Sequence, residues 1–143
     1  MIRPIYDQSW SKTFYEWLQP RANIEVDDYT TIGFLDEWDN IVGVILFCGY
    51  DGNNIYVHIA SDNPKHVQRR FIKLMFDYVF NQAKCQRVTA TCTAQNKRSM
   101  KLIEGVGFKK EGYLKNFLKK HDKLYDIALY GMQKEDCRWV ISR

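Results

Sequence analysis

The chain has 143 residues and a formal net charge of +4, with 45% hydrophobic and 15% aromatic residues. That length and apolar content suit one domain around one filled core and argue against disorder. No apolar run approaches the roughly 18–20 residues that span a bilayer, which excludes a helical membrane protein. The opening MIRPIYDQSWSK lacks the apolar stretch of a signal peptide, so a cytoplasmic protein is expected.

The charge is modest and fits an anionic substrate or cofactor better than nucleic acid, whose binders are more basic and more clustered. The cysteines are Cys48, Cys85, Cys92 and Cys137. None form a CxxC pair, and too few histidines accompany them for a zinc pattern, so no metal is expected. Cys48 and Cys92 sit inside apolar strand patterns, and the cysteines read as buried reduced thiols rather than a disulfide framework.

In chain order, Trp10, Phe14, Trp17 and Leu18 recur at helical spacing, and Pro20 is expected to end that short helix. Strands follow at Thr30 to Leu35, Ile41 to Phe47 and Ile55 to Ala60, separated by the turns Asp36 to Asn40 and Asp51-Gly52-Asn53-Asn54. Asn63-Pro64 then opens a helix, Asn as cap and Pro in the first turn. Val67, Phe71, Leu74, Met75 and Tyr78 make an apolar stripe that carries it to about Gln82. A strand at Arg87 to Cys92, a helix at Asn96 to Glu104 ended by Gly105, and two strands at Phe108 to Leu118 and Leu124 to Met132 complete the chain. The order predicts an α/β (α+β) fold: a mixed, mostly antiparallel central sheet with helices on both faces. The crossover from Ile55–Ala60 to Arg87–Cys92 is expected to be parallel and right-handed.

Asn96-x-x-Ser99, followed by Glu104-x-x-Gly107-Phe108 and Glu111-Gly112, resembles the Gcn5-related N-acetyltransferase superfamily. The branch most similar acetylates ribosomal-protein N-termini, antibiotics or polyamines. Asp77-Tyr-Val-Phe80, Cys85-Gln-Arg-Val88 and the ending Lys123-Leu-Tyr-Asp126-Ile-Ala-Leu-Tyr130-Gly-Met match further segments in the same order. The resemblance covers roughly residues 30 to 135. It implies transfer of an acetyl group from acetyl-coenzyme A to an amine acceptor, such as a protein N-terminus, a lysine or a small amine.

It also implies a splayed parallel strand pair, at Ile59 and Ala60 on one side, that holds the pantetheine arm through backbone hydrogen bonds. The diphosphate would sit at the segment Lys65, His66, Val67, Gln68, Arg69, Arg70. Here the chain departs from the family pattern, because the loop glycines that let backbone amides approach a pyrophosphate are missing. Helix N–H groups and the cations Lys65, Arg69 and Arg70 would have to replace them. Ile103 stands where many members carry an acid Tyr. The resemblance instead offers the Ser99 hydroxyl to the departing sulfur, with Asn96 facing the arm.

Asn96 also has a purely local use as a helix cap, and Ser99 is ordinary in a first turn. His58 falls on the more polar face of its strand with Tyr56 and Ala60, where a neutral imidazole could take an amine proton; a half-exposed strand histidine is the plain alternative. Glu111 is a second base candidate, though Glu-Gly there also reads as a bulge or turn. Tyr56, Tyr113 and Tyr125 are candidates for an acceptor pocket, and core packing is their ordinary use. The run Lys109, Lys110, Lys115, Lys119, Lys120, Lys123 reads as a solvated face. The rival reading is a protein of this fold without transferase activity, a structural or interaction component such as a virion protein. Pairing into a homodimer through edge strands is compatible with either.

Overall fold

The computed structural model describes residues 1–62 and 69–140. Seven strands form one sheet: β1 (Arg3–Ile5), β2 (Tyr29–Leu35), β3 (Ile41–Cys48), β4 (Asn54–Ser61), β5 (Arg87–Thr93), β6 (Lys109–Lys120) and β7 (Lys123–Gln133). Their order is β1-β2-β3-β4-β5-β7-β6. Every neighbouring pair is antiparallel except β4 and β5, which are parallel. The mixed sheet and the three-stranded meander expected from the sequence are present.

Helix α1 (Ser11–Ala22) covers one face, and α2 (Arg69–Phe76) and α3 (Lys97–Val106) cover the other. The near-continuous apolar run of β3 follows from this. Val44 and Leu46 pack under α1, while Ile45 and Phe47 join the core beneath α2 and α3. A strand covered on both faces has no solvent side to make polar.

Several boundaries differ from expectation. Pro20 lies inside α1, which runs on to Ala22 and ends at Asn23 in a left-handed conformation. Proline removes one N–H near the helix end, and the carbonyl this deprives belongs to Glu16, at an exposed position of the helix. Gly105 does not end α3. Gly107 does, with φ 121°, while its N–H reaches back to the carbonyls of Glu104 and Ile103.

The long helix is α-helical from Arg69 only to Phe76 and becomes a π-helix over Asp77–Gln82. Its Asn63-Pro64 opening lies outside the described residues. The wider turn bonds the Ala83 N–H to the Tyr78 carbonyl at 2.8 Å, and Phe76, Val79 and Phe80 all turn inward. The expected stripe was therefore too narrow. Tyr130 closes this core from the sheet side, fully buried, its hydroxyl donating to Glu104 Oε2 at 2.5 Å.

The turn before β7 is also tighter than expected: only His121 and Asp122, both at positive φ, separate β6 from β7. That two-residue geometry matches the twist of a hairpin. Strand β1 was missed because it has three residues and contains Pro4; on the sheet edge proline is tolerated.

Gly33 sets how closely α1 can approach. The ring of Phe14, fully buried, rests on its Cα, and a Cβ there would lie 2.1 Å from Phe14 Cζ. Gly33→Ala is expected to destabilise the protein by about 1–3 kcal/mol through overpacking. Adding Phe14→Leu should recover part of that loss in a denaturant titration, which would locate the strain at this contact.

Candidate active site

The β4–β5 pairing is short. It runs from Asn54↔Arg87 to Val57↔Ala90 and stops. Each strand continues: β4 stays paired with β3 as far as Ser61, and β5 stays paired with β7 as far as Thr93. Beyond Val57 and Ala90 the two halves of the sheet diverge. Among the described residues, the inner edges of His58–Ala60 and Thr91–Thr93 have no ladder partner in the middle of the sheet. Backbone donors and acceptors placed so require water or a ligand.

The resulting cleft has Val57 and Ala90 at its closed end, His58 and Ile59 on one side, and Thr91 and Cys92 on the other. On the α3 face it is bordered by Asn96, Ser99 and Ile103, and on the α1 face by Arg21, Ala22 and Asn23. It therefore connects the two faces of the sheet.

Asn96 caps α3, its Oδ1 accepting the Ser99 N–H at 3.1 Å. The local reading of Asn96 is thus satisfied, and the same turn lies on the cleft. The Ser99 hydroxyl has no hydrogen-bond partner among the described residues and stands at the positive N-terminal end of the α3 dipole. The branched sec-butyl side chain of Ile103 adds an apolar wall to the cleft.

His58 points to the α1 side of the sheet. This side is not simply polar, since Ala60 on the same face packs into the α1 core. Burial pushes the His58 imidazole down to about 4, so it is neutral at physiological pH. The Cys92 thiol is pushed up, first by burial and then by Glu104, which leaves it protonated.

Of the remaining sequence candidates, Ile59 borders the cleft, and Ala60 lies beside it in a small crevice with Phe34 and Phe71. Arg69 and Arg70 are exposed at the start of the described part of α2. Arg70 Nη2 donates to the Ile2 carbonyl, and the Arg69 guanidinium lies 5.7 Å from the Trp139 ring centroid. Lys65, His66, Val67 and Gln68 lie outside the described residues.

Glu111 sits in a β-bulge beside Gly112 and makes a two-pronged ion pair with Arg87, at 2.8 and 2.6 Å. That pair crosses over Gly131, where a Cβ would come within 2.4 Å of Glu111 Oε2. The Arg87 guanidinium holds the Glu111 carboxyl below its ordinary range, and the carboxylate is engaged away from the cleft. Tyr125 borders a second recess with Asn23, Thr93 and Lys120; Tyr56 and Tyr113 are exposed and line neither recess nor cleft.

Sequence reasoning did not find Cys92, Thr93 or the Arg21-Ala22-Asn23 border. The last is set by how α1 crosses the sheet, and no local pattern carries that. All four cysteines are free; Cys85 and Cys137 are buried, whereas Cys48 and Cys92, expected to be buried within their strands, are only half-buried, because they lie at the end of β3 and beside the cleft. Among the described residues no three His, Cys, Asp or Glu side chains gather as a metal site, and no helix is long and apolar enough to cross a membrane.

The depressed His58 pKa has a stability consequence. Between about pH 6.5 and 4 the unfolded chain binds a proton at His58 that the folded chain does not, so stability must fall as pH falls through that window. The full effect is roughly 3 kcal/mol. In urea titrations at pH 7 and pH 4, wild type should lose about that much more stability than His58→Gln. Equal losses would show that the imidazole is not desolvated.

The comparisons with known proteins agree with this geometry. Residues 6–129 match the family model described as an acetyltransferase (GNAT) domain. The chain is 24% identical over 106 residues to the uncharacterized N-acetyltransferase YnaD of Bacillus subtilis (strain 168), covering 71% of this chain and 62% of that protein. It spans about three fifths of the length of two such curated relatives. Among solved structures, the ribosomal-protein-S5-alanine acetyltransferase of Vibrio fischeri superposes with TM-score 0.70 at 17% identity, covering 98% of this chain and 94% of that one. The spermidine N-acetyltransferase SpeG of Vibrio cholerae (F149A mutant) gives TM-score 0.72 at 15% identity, covering 93% and 94%. With a family match across most of its length and a sheet split where the fold requires it, this chain belongs to the Gcn5-related N-acetyltransferase (GNAT) family.

Proposed function

We propose that this protein transfers the acetyl group of acetyl-coenzyme A directly to a primary amine. The observation that carries the reading is the break in the parallel β4–β5 ladder after Val57 and Ala90, which leaves unpaired strand edges facing each other across a two-sided cleft. An extended amide-bearing chain such as pantetheine is the ligand such an edge pairs with, in the manner of an added strand.

In this reading the thioester enters from the α3 face and the amine from the α1 face. The amine nitrogen forms a bond to the thioester carbonyl carbon, the carbon–sulfur bond breaks, and the sulfur leaves as thiolate. The Ser99 hydroxyl and the N-terminal end of α3 stabilise that developing negative charge, because they are fixed donors needing no rearrangement. Ile59 and Ala60 contribute strand edge to the arm. Arg69 and Arg70, with Lys65 to Gln68, form the expected diphosphate grip, in which cationic side chains replace glycine-lined backbone.

Two features favour direct transfer over an acyl-enzyme. Cys92, the thiol in the cleft, is held protonated and so is a poor nucleophile. His58 is neutral, which leaves a ring nitrogen free to accept the amine's proton. With a conjugate-acid pKa of about 4 it is a weak base, suited to passing that proton to water rather than keeping it. A cytoplasmic setting belongs to the same proposal, as the acetyl donor is an intracellular metabolite.

Calorimetric titration of acetyl-coenzyme A tests the reading. Micromolar binding is expected, weakened at least about fivefold by Arg69→Ala with Arg70→Ala. Ser99→Ala should leave binding nearly unchanged and lower kcat roughly 10–100-fold. No binding at millimolar coenzyme would leave a member of the family without its chemistry. For the base, kcat/KM should show no ionisation near pH 6.5, and His58→Gln should lower it about tenfold or more. A limb near 6.5 that His58→Gln removes would overturn the weak-base assignment.

A further inference from the structure

The recess beyond the cleft has an uneven charge. It is bordered by Asn23, Thr93, Gln95, Leu118, Lys120 and Tyr125. It is continuous with the cleft through Asn23, Thr93 and Asn96, which border both. Among the described residues, no Asp or Glu lines either one.

Two cations stand at this end. Arg21 is neutralised by Asp62, its Nε and Nη2 donating to the carboxylate at 2.8 and 3.2 Å. Lys120 is not. The long β6–β7 hairpin carries it back to the end of α1, where its Nζ donates to Asn23 Oδ1 at 2.6 Å. That acceptor is a neutral amide, so the ammonium keeps its full charge and two further donors. Unlike its neighbours in the lysine run, Lys119 and Lys123, Lys120 is half-buried. The nearby Asp126 does not compensate it, because it alternates to the other face of β7 from Tyr125 and its Oδ1 accepts the Asn116 N–H at 2.9 Å.

We infer that the acceptor is an amine whose molecule also carries a carboxylate, which Lys120 binds, and that diamines and polyamines are disfavoured. This rests on the transferase reading and adds the class of acceptor to it. The physical reason is the sign of the site. A second ammonium entering this recess would meet an uncompensated lysine and no carboxylate, whereas a carboxylate would gain a charge-assisted hydrogen bond. Likeness in fold to a spermidine acetyltransferase does not bear on this, since the fold is shared by sites of different charge.

The test has a binding arm and a turnover arm, both on the protein loaded with coenzyme A or acetyl-coenzyme A. In the first, backbone amide shifts of Asn23, Thr93 and Lys120 are followed while glutamate, an acidic dipeptide, putrescine or spermidine is added. In the second, coenzyme release is measured with the same four compounds. The carboxylates are expected to move those signals and to be preferred in turnover. Lys120→Glu should weaken carboxylate binding roughly tenfold and favour the polyamines. Lys119→Glu, an equal charge change on an exposed neighbour, should do neither. Tighter binding of the polyamines, an unaltered preference in Lys120→Glu, or no shift with either class would overturn the inference. Carboxylate binding lost in Lys120→Glu, with no coenzyme release from any compound, would support the anion site and count against the transferase reading alone.

Discussion

The arrangement turns on one unfinished ladder. β4 and β5 pair for four residues and then part, while each remains bonded to its antiparallel neighbour on the outside. The outer ladders fix the two strands, so the inner edges cannot close on each other, and cannot be covered by another strand of the sheet. Unpaired peptide groups in mid-sheet are costly unless something meets them. The fold thus leaves peptide groups at its centre for water or a ligand to meet, and the other features of the cleft are placed by reference to that gap.

The helices explain why the gap stays open without weakening the whole. α1 is locked to β2 through the Phe14 ring on Gly33, and the second core is filled by Phe71, Phe76, Phe80 and Tyr130 on the opposite face. Each face of the sheet therefore has its own core, and the one beneath α2 and α3 joins both sides of the gap. The cap of α3 then brings Asn96 and Ser99 to the gap with a geometry that helix chemistry imposes anyway. A residue needed for local structure and a residue suited to a developing thiolate can be the same turn, and the two uses do not compete.

Electrostatics divides the cleft by function. On its α3 side are the positive end of a capped helix and a hydroxyl; at its middle are a desolvated neutral imidazole and a protonated thiol; beyond α1 is an ammonium with no carboxylate partner among the described residues. Carboxylates that could have entered the site are engaged elsewhere: Glu111 by Arg87, Asp62 by Arg21 and Asp126 by a backbone N–H. Among the described residues, no carboxylate therefore lines the site.

Local pattern was enough for much of this. The periodicity of β2 to β5, the Asn96 cap and the motif series around Ser99 and Gly107 placed most elements, and the fold followed from their order. These are signals between residues a few positions apart, and short-range geometry dictates them. Where local rules compete with surroundings, the sequence misled: Pro20 stays helical near the end of α1, where the carbonyl it orphans belongs to an exposed residue, and the apolar stripe widens because a π-turn rotates Val79 and Phe80 inward. The pairing of Lys120 with Asn23, 97 positions apart, was beyond sequence altogether. So were the burial that neutralises His58 and the withdrawal of Glu111 into an ion pair. Each depends on which distant surfaces meet when the hairpin folds back and α1 crosses the sheet, and only the tertiary structure decides that.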